Sequence, residues 1–161
     1  MIYIIIIFSF LFESIMSNIV NMNSLFVPLF TLVSLSLVYP YFKKKYNNFI
    51  IVCGIVGLLY DIIFTNSLFI NTISFILLSF LIIYNYKLFK YNILFSNLFN
   101  IILIACYRFI SYILLVIIGY TKFNFYNLIN GIYTSLIINI IYGVIIYIII
   151  KKLAKILNIR F

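Results

Sequence analysis

The sequence predicts an all-α membrane protein with six transmembrane helices and with both chain ends in the cytoplasm. Its 161 residues are 67% hydrophobic and 8% charged, far above the apolar share of a soluble domain. The apolar residues are gathered in runs long enough to cross a hydrocarbon core of about 30 Å. The basic residues fall in the short gaps between these runs, as the positive-inside bias produces.

Six apolar segments cover most of the chain, and we predict one helix in each. They span roughly residues 2–20, 25–42, 49–64, 67–86, 93–118 and 128–150. The first lacks a positive start, contains Glu13 and is not followed by a small-residue cleavage site, so we expect a retained helix rather than a secretory signal. The third is short and the fifth is long, which predicts tilt or partial unwinding. No linker or repeat divides residues 1–161, which are expected to form a single membrane domain.

Lysines and tyrosines mark the ends of these predicted helices. Nine basic residues lie in or after the turns that follow helices two, four and six: Lys43, Lys44, Lys45, Lys87, Lys90, Lys151, Lys152, Lys155 and Arg160. The opposite loops carry only Lys122. Tyrosines, which favour the headgroup layer, flank the turns on both sides. The lysine asymmetry therefore places these three connections and both termini in the cytoplasm.

The net charge of +9 would suit nucleic-acid binding if the charges shared one face. They flank apolar segments instead, so we predict no nucleic-acid partner. Anionic lipid headgroups attract such lysines by about 1 kcal/mol each, which is ordinary anchoring. An acidic face of a partner protein is the alternative contact for the cytoplasmic lysines.

No set of residues in the sequence points to catalysis or to a cofactor. The chain contains no His, and its two cysteines, Cys53 and Cys106, lie within apolar segments. A zinc site is therefore not expected, and both thiols are predicted to pack. Glu13 and Asp61 could form an acid–base pair, but no nucleophile or phosphate-binding Gly loop accompanies them. We predict a non-enzymatic protein without a cofactor.

Three ionisable residues fall within the predicted helices: Glu13, Asp61 and Arg108. Each costs about 2.5–3.5 kcal/mol at the centre of the bilayer, so each requires a partner. Counting about 1.5 Å per residue places all three roughly 17–23 Å from the inner boundary. Arg108 keeps its charge whereas a carboxylate can be protonated. We therefore predict a buried Arg108–Asp61 ion pair with Glu13 alongside; the alternative is that each group snorkels separately to the outer headgroups.

Small and polar residues form faces on three of the predicted helices. They are Ser9, Glu13 and Ser17 on helix one; Gly54, Gly57 and Asp61 on helix three; and Gly131, Ser135, Asn139 and Gly143 on helix six. Such faces let neighbouring backbones approach, which is how membrane helices gain packing energy. We expect them to pack within the molecule, with Asn139 hydrogen-bonded to another helix, and docking of a partner is the alternative.

The chain contains the stretches "FLFESIMSNIV", "LFTLVSLSLVYPYF" and "CGIVGLLYDIIFTNSLFINTISF", which resemble the bacterial rod shape-determining protein MreD family. The recognisable part of that family is an apolar G-x-x-x-G-L-L-x-D segment, then a short outer turn and another helix. "GLLYD" at 57–61 matches its core, although Gly54 lies three residues before Gly57 rather than four. The position after the turn, often Gly in the family, is Phe69 or Ile70 here.

The resemblance implies a small, non-enzymatic subunit of the cell-elongation machinery in the bacterial plasma membrane. It implies MreC, the actin-like MreB, RodA and a class B penicillin-binding protein as partners. It also implies a fold similar to that of the substrate-binding components of energy-coupling-factor vitamin transporters, and such a component is the alternative function. With only Ala105 and Ala154, however, the chain lacks the Ala-x-x-x-Ala docking surface of those components. A toxin-immunity or holin-like protein fits the size but leaves GLLxD unexplained.

Overall fold

The computed structural model of the protein describes residues 2–19, 27–43, 45–64, 69–88 and 92–156. These residues form six α-helices: α1 (Ile2–Ile19), α2 (Phe30–Val38), α3 (Tyr46–Ile63), α4 (Ile70–Leu88), α5 (Ile93–Ile117) and α6 (Phe125–Ile156). A short 3-10 helix, Tyr39–Phe42, follows α2. No strand occurs within the described ranges, so the all-α prediction is confirmed.

Among the described residues, four helices are long and apolar enough to cross a membrane: α1, α3, α5 and residues Phe125–Leu153 of α6. The other two apolar helices, Phe30–Phe42 and Ile70–Tyr86, are shorter. The outward faces of the long helices are apolar, with Ile62 71%, Leu94 71% and Ile117 73% exposed. Large apolar side chains covering the outside of a molecule are typical of a surface that faces lipid.

Helix α2 lies among α1, α5 and α6, and all nine of its residues are buried. The sequence predicted a helix from Leu25, but residues 27–29 are not helical and α2 begins at Phe30. Pro28 accounts for the later start, because proline lacks an N–H group and disfavours the helical conformation of the preceding residue. The first amides of α2 are therefore buried, and they need acceptors from elsewhere in the molecule.

The pair formed by α3 and α4 has the most extensive contact between helices in the structure. A Cβ atom added at Gly57 would lie 2.6 Å from Thr72 Cα and 2.9 Å from the Asn71 carbonyl oxygen. At Gly54 the nearest atoms would be side-chain carbons of Ile76 at 3.6 Å, which is an ordinary contact. Gly57 is thus the position at which the backbone of α4 requires a residue without a side chain.

Helix α6 extends beyond its predicted bounds of 128–150 at both ends. At its start, Asn124 Oδ1 accepts a hydrogen bond from the Tyr126 amide at 2.9 Å, as a capping residue does. At its other end, the helix continues through Lys151, Lys152 and Lys155. Cations on the last turns of a helix interact favourably with its dipole, so the basic tail prolongs the helix rather than ending it.

Candidate functional site

Asp61 of α3 caps the N-terminus of the neighbouring helix α4. Its Oδ1 accepts hydrogen bonds from the Asn71 amide at 2.9 Å and from Asn71 Nδ2 at 3.1 Å. Its Oδ2 accepts from the Thr72 amide at 2.9 Å and from Thr72 Oγ1 at 2.6 Å. Asn71 and Thr72 are the second and third residues of α4, whose amides an N-cap side chain ordinarily satisfies. Asp61 therefore does from another helix what a capping residue does from its own.

The residue that would normally cap α4 cannot do so. Phe69 directly precedes the helix, and its side chain offers no acceptor. Its backbone adopts φ 70°, in the left-handed region that L-residues other than Gly, Asn and Asp seldom occupy. This sharp entry directs the first amides of α4 towards α3, where Asp61 meets them.

Gly57 and Asp61 act together because they lie one helical turn apart on the same face of α3. The missing side chain of Gly57 brings the Thr72 backbone close to α3, and the Asp61 carboxylate then reaches both amides. Asp61 is only 2% exposed, so the interaction is shielded from solvent. A carboxylate at the positive end of a helix dipole is favourable, which offsets part of the cost of burying the charge.

Glu13 makes the corresponding contact from α1 to α2. Its Oε2 accepts hydrogen bonds from the Thr31 amide at 2.8 Å and from Thr31 Oγ1 at 2.7 Å. Thr31 is the second residue of α2, and Glu13 is 2% exposed. Asn139 of α6 holds the residues just before α2, since its Oδ1 accepts from the Leu29 amide at 2.7 Å and its Nδ2 donates to the Val27 carbonyl at 3.0 Å. The side chains of Asp61, Glu13 and Asn139 thus form hydrogen bonds with residues at or just before the starts of α2 and α4.

In the described part of the chain, Arg108 is hydrogen-bonded to Ser135 and not to Asp61, the ion-pair partner that the sequence led us to expect. Its Nε donates a hydrogen bond to Ser135 Oγ at 2.8 Å. Its Nη2 atom is buried and has no hydrogen-bond partner among the described residues. The first turn of α4 supplies Asp61 with four hydrogen-bond donors instead. Glu13 still interacts electrostatically with Arg108, so two of the three predicted charges lie near each other.

A second buried polar cluster ties α2 to its neighbours. The hydroxyl oxygens of Ser9, Ser34 and Tyr142 lie 2.7–3.2 Å from one another and join α1, α2 and α6. Ser36 Oγ donates to Asn100 Oδ1, which joins α2 to α5. These hydrogen bonds fix the positions of the polar side chains of the short, buried helix α2.

The four predicted small or polar residues of α6 have different surroundings. A Cβ atom at Gly143 would lie 2.9 Å from Asn97 Oδ1, so this glycine admits a side chain of α5. Ser135 receives Arg108, and its own hydroxyl donates to the Gly131 carbonyl at 2.7 Å. A Cβ atom at Gly131 would meet nothing within 4 Å, so no close packing requires a glycine there.

The predicted cytoplasmic lysines that the structure describes are exposed: Lys43, Lys45, Lys151, Lys152 and Lys155. Lys44, Lys90 and Arg160 lie outside the described residues. The three lysines of α6 line a cavity of about 400 Å³ together with the start of α5. These three lysines therefore form one basic surface.

The cysteines and carboxylates do not assemble into a metal site. Cys53 is buried and Cys106 is half-buried, and both are free thiols. Within the described ranges no three His, Cys, Asp or Glu residues come together. The carboxylate oxygens of Glu13 and Asp61 instead accept hydrogen bonds from the starts of α2 and α4, which is a structural role.

Sequence reasoning missed the residues that receive the two carboxylates, namely Thr31, Asn71 and Thr72. A signal for them was present, because each is a polar residue within the first turn of an otherwise apolar helix. Ser34, Ser36, Asn100 and Tyr142 were also missed. They are single polar groups in apolar runs, whose partners become visible only when the helices are packed.

The family model described as rod shape-determining protein MreD matches residues 1–157. No curated protein and no solved structure matches the chain. The family match includes α1 to α6 and therefore both capped helix pairs.

Proposed function

The chain belongs to the MreD family of rod shape-determining proteins, and from this we propose that it is a non-enzymatic scaffold of the bacterial cell-elongation complex. The family match over nearly the whole chain is the observation that carries the proposal. The structure adds a physical role for the family-like "GLLYD" stretch, because Gly57 and Asp61 together join α3 to α4. A scaffold requires this kind of fixed helix packing.

The use of the two carboxylates supports a structural rather than a catalytic role. Asp61 accepts four hydrogen bonds from the start of α4, and Glu13 accepts two from Thr31. An acid held in this way is poorly placed to move a proton to or from a substrate, since its oxygens are already occupied. The chain has no other acidic residue.

We propose that all six helices cross the plasma membrane, with both chain ends in the cytoplasm and a fold similar to that of energy-coupling-factor substrate-binding components. The short α2 is compatible with a crossing because it is buried in protein on every side. Non-helical backbone at membrane depth is tolerated when its polar groups are satisfied within the protein. Asn139 and the Thr134 carbonyl do this for Val27 and Leu29.

We propose MreC as the direct partner, with MreB, RodA and a class B penicillin-binding protein in the same complex. The apolar outward faces of α1 and α5 suit contacts with other membrane helices, and the exposed lysines suit contacts on the cytoplasmic side. Replacing Lys151, Lys152 and Lys155 with Gln tests the lysine contact. Lower recovery of MreB with a membrane-inserted variant supports it, whereas unchanged recovery reduces these lysines to lipid anchors.

Depletion in the native rod-shaped cell tests the function. The cells are expected to become round, and a plasmid-borne copy of the chain should restore rods. Restoration should fail with the Asp61→Ala variant and succeed with Lys122→Gln, a matched change on an exposed residue. Cells that stay rod-shaped after depletion but lose uptake of a vitamin would replace the scaffold with the transporter component.

A further inference from the structure

A small cavity lies between α5 and α6 close to the loop that joins these helices. Its volume is about 160 Å³. It is lined by Arg108, Ser111, Tyr112, Leu115, Asn127, Leu128 and Gly131. Sites for drug-sized ligands occupy roughly 300–1,000 Å³, so this cavity has room for a small polar group and not for a vitamin-sized molecule.

The wall of this cavity contains a guanidinium group with unused hydrogen-bonding capacity. Arg108 Nε is occupied by Ser135, whereas Nη2 is buried without a hydrogen-bond partner among the described residues. Arginine remains charged in proteins. A buried charge with an unsatisfied donor is costly, and an anion in the cavity would remove that cost.

The opposite wall of the cavity is kept open by Gly131. A Cβ atom there would meet nothing within 4 Å, in contrast to Gly57, where the backbone of α4 fills the space. Gly131 therefore leaves volume beside Arg108 without serving helix packing. This difference between two helical glycines is the second observation that points to an occupant.

The cavity lies at the end of the molecule where α5 passes into α6 through the loop that contains Lys122. Tyr112, one of its lining residues, accepts a hydrogen bond from the Asn124 amide at 2.8 Å and lies 3.2 Å from the Lys122 carbonyl oxygen. The loop with Lys122 is thus held next to the cavity. Both acidic residues of the chain are hydrogen-bonded to helix starts, and Arg108 Nη2 is left without an acceptor among the described residues.

We infer that this cavity binds the phosphate group of a membrane lipid, with Arg108 as the counter-charge. A guanidinium matches the geometry of phosphate oxygens and binds them through charge-assisted hydrogen bonds. Gly131 lies only about 9 Å from the start of α6 at ~1.5 Å per residue, which is near headgroup depth. The acyl chains would lie along the apolar outward side chains of the same helices, such as Phe109 and Ile129, which are 50% and 49% exposed.

Lipid binding to the purified full-length protein in detergent tests this inference. Native mass spectrometry compares phosphatidylglycerol with diacylglycerol of the same chains, and a third arm adds inorganic phosphate alone. The wild type should retain phosphatidylglycerol and not diacylglycerol. Arg108→Gln and Gly131→Leu should each weaken phosphatidylglycerol binding by about tenfold or more. Lys155→Gln, which removes a distant charge, should change it by less than about twofold.

Gly131→Leu keeps Arg108 and fills only the cavity, so it decides the question even if Arg108→Gln does not fold. Unchanged phosphatidylglycerol binding by a folded Gly131→Leu variant would overturn the inference. Equal binding of diacylglycerol would show that acyl chains rather than phosphate are recognised, and binding of inorganic phosphate as tight as that of the lipid would assign the site to a free anion. These results are independent of cell shape, so they leave the scaffold proposal untouched.

Discussion

Replacing Asp61 with Asn separates a helix cap from an ion pair. The amide keeps one acceptor oxygen, which can still receive the Asn71 amide. Its NH₂ group then faces Thr72, whose amide and hydroxyl both donate to Asp61 Oδ2 in the native protein. The change removes the charge, and it also sets donors against donors at a buried position.

The magnitude follows from the bonds that are lost. Loss of an N-cap costs about 0.5–2 kcal/mol, and a buried donor left without an acceptor costs about 1–3 kcal/mol. Together they predict a loss of about 2–4 kcal/mol in the free energy of unfolding. For a chain of this size that corresponds to a Tm lower by roughly 4–16 °C.

The assay is thermal unfolding of the purified protein in one detergent, with wild type, Asp61→Asn, Arg108→Gln and the double variant measured side by side. If Asp61 is a helix cap, the two single losses should add within about 0.5 kcal/mol. If an Arg108–Asp61 ion pair dominates, the double variant should be markedly more stable than that sum. Such a rescue would refute the conclusion that Asp61 is buried because it caps α4.

Four further substitutions probe the helix starts and the glycines. Gly57→Ala should destabilise the protein by about 1–3 kcal/mol because its Cβ meets the α4 backbone. Gly131→Ala should instead stabilise it by about 0.5–1 kcal/mol through helix propensity. Thermal unfolding measures both changes, and two changes in stability of the same sign would contradict this difference between the glycines. Asn139→Leu should lower the free energy of unfolding by about 2–4 kcal/mol, because the Leu29 amide and the Val27 carbonyl lose their partner. The exposed Asn127→Leu variant is the control, and a smaller loss of stability for Asn139→Leu than for this control would contradict the prediction. Phe69→Gly should be neutral or stabilising by up to about 1 kcal/mol, because glycine tolerates φ 70°, and a clear loss of stability would show that the Phe69 ring matters more than its backbone.

Helix positions were predictable where apolar runs end in lysines, tyrosines or polar turns. The start of α5 was predicted at residue 93, where the structure has it, because the run begins abruptly after Asn92. The start of α2 was placed too early, because the run from Leu25 continues through Pro28 without a change in hydrophobicity. Hydropathy measures how far a segment prefers lipid, whereas Pro28 acts on backbone dihedral angles, so the helix start had to be read from Pro28 rather than from the apolar pattern.

The partner of Asp61 was not predictable from an inventory of charges. Among the charged side chains, Arg108 is the one cation predicted within the membrane, so charge alone predicts it as the partner of Asp61. Backbone N–H groups are not considered as partners in such an inventory. The first amides of a buried helix are also unsatisfied donors, and the sequence does not display them as it displays a lysine or an arginine. The resemblance to the family pointed near the right place, because the position that it expects to be Gly is Phe69 or Ile70, and Phe69 is the described non-Gly residue with positive φ.

The two acids of the chain, Glu13 and Asp61, solve the same physical problem in successive helix pairs. Each stands near the end of one helix and receives the amide and the hydroxyl of a threonine at the start of the next. An ordinary N-cap residue would satisfy the same amides but would leave the two helices free to separate. An acid supplied by the preceding helix satisfies the amides and also ties the two helices together, where the hydrophobic effect provides no force between them. Half of these hydrogen bonds come from backbone amides, which any non-proline residue supplies, whereas the approach and the acceptor at α4 depend on Gly57 and Asp61 of α3.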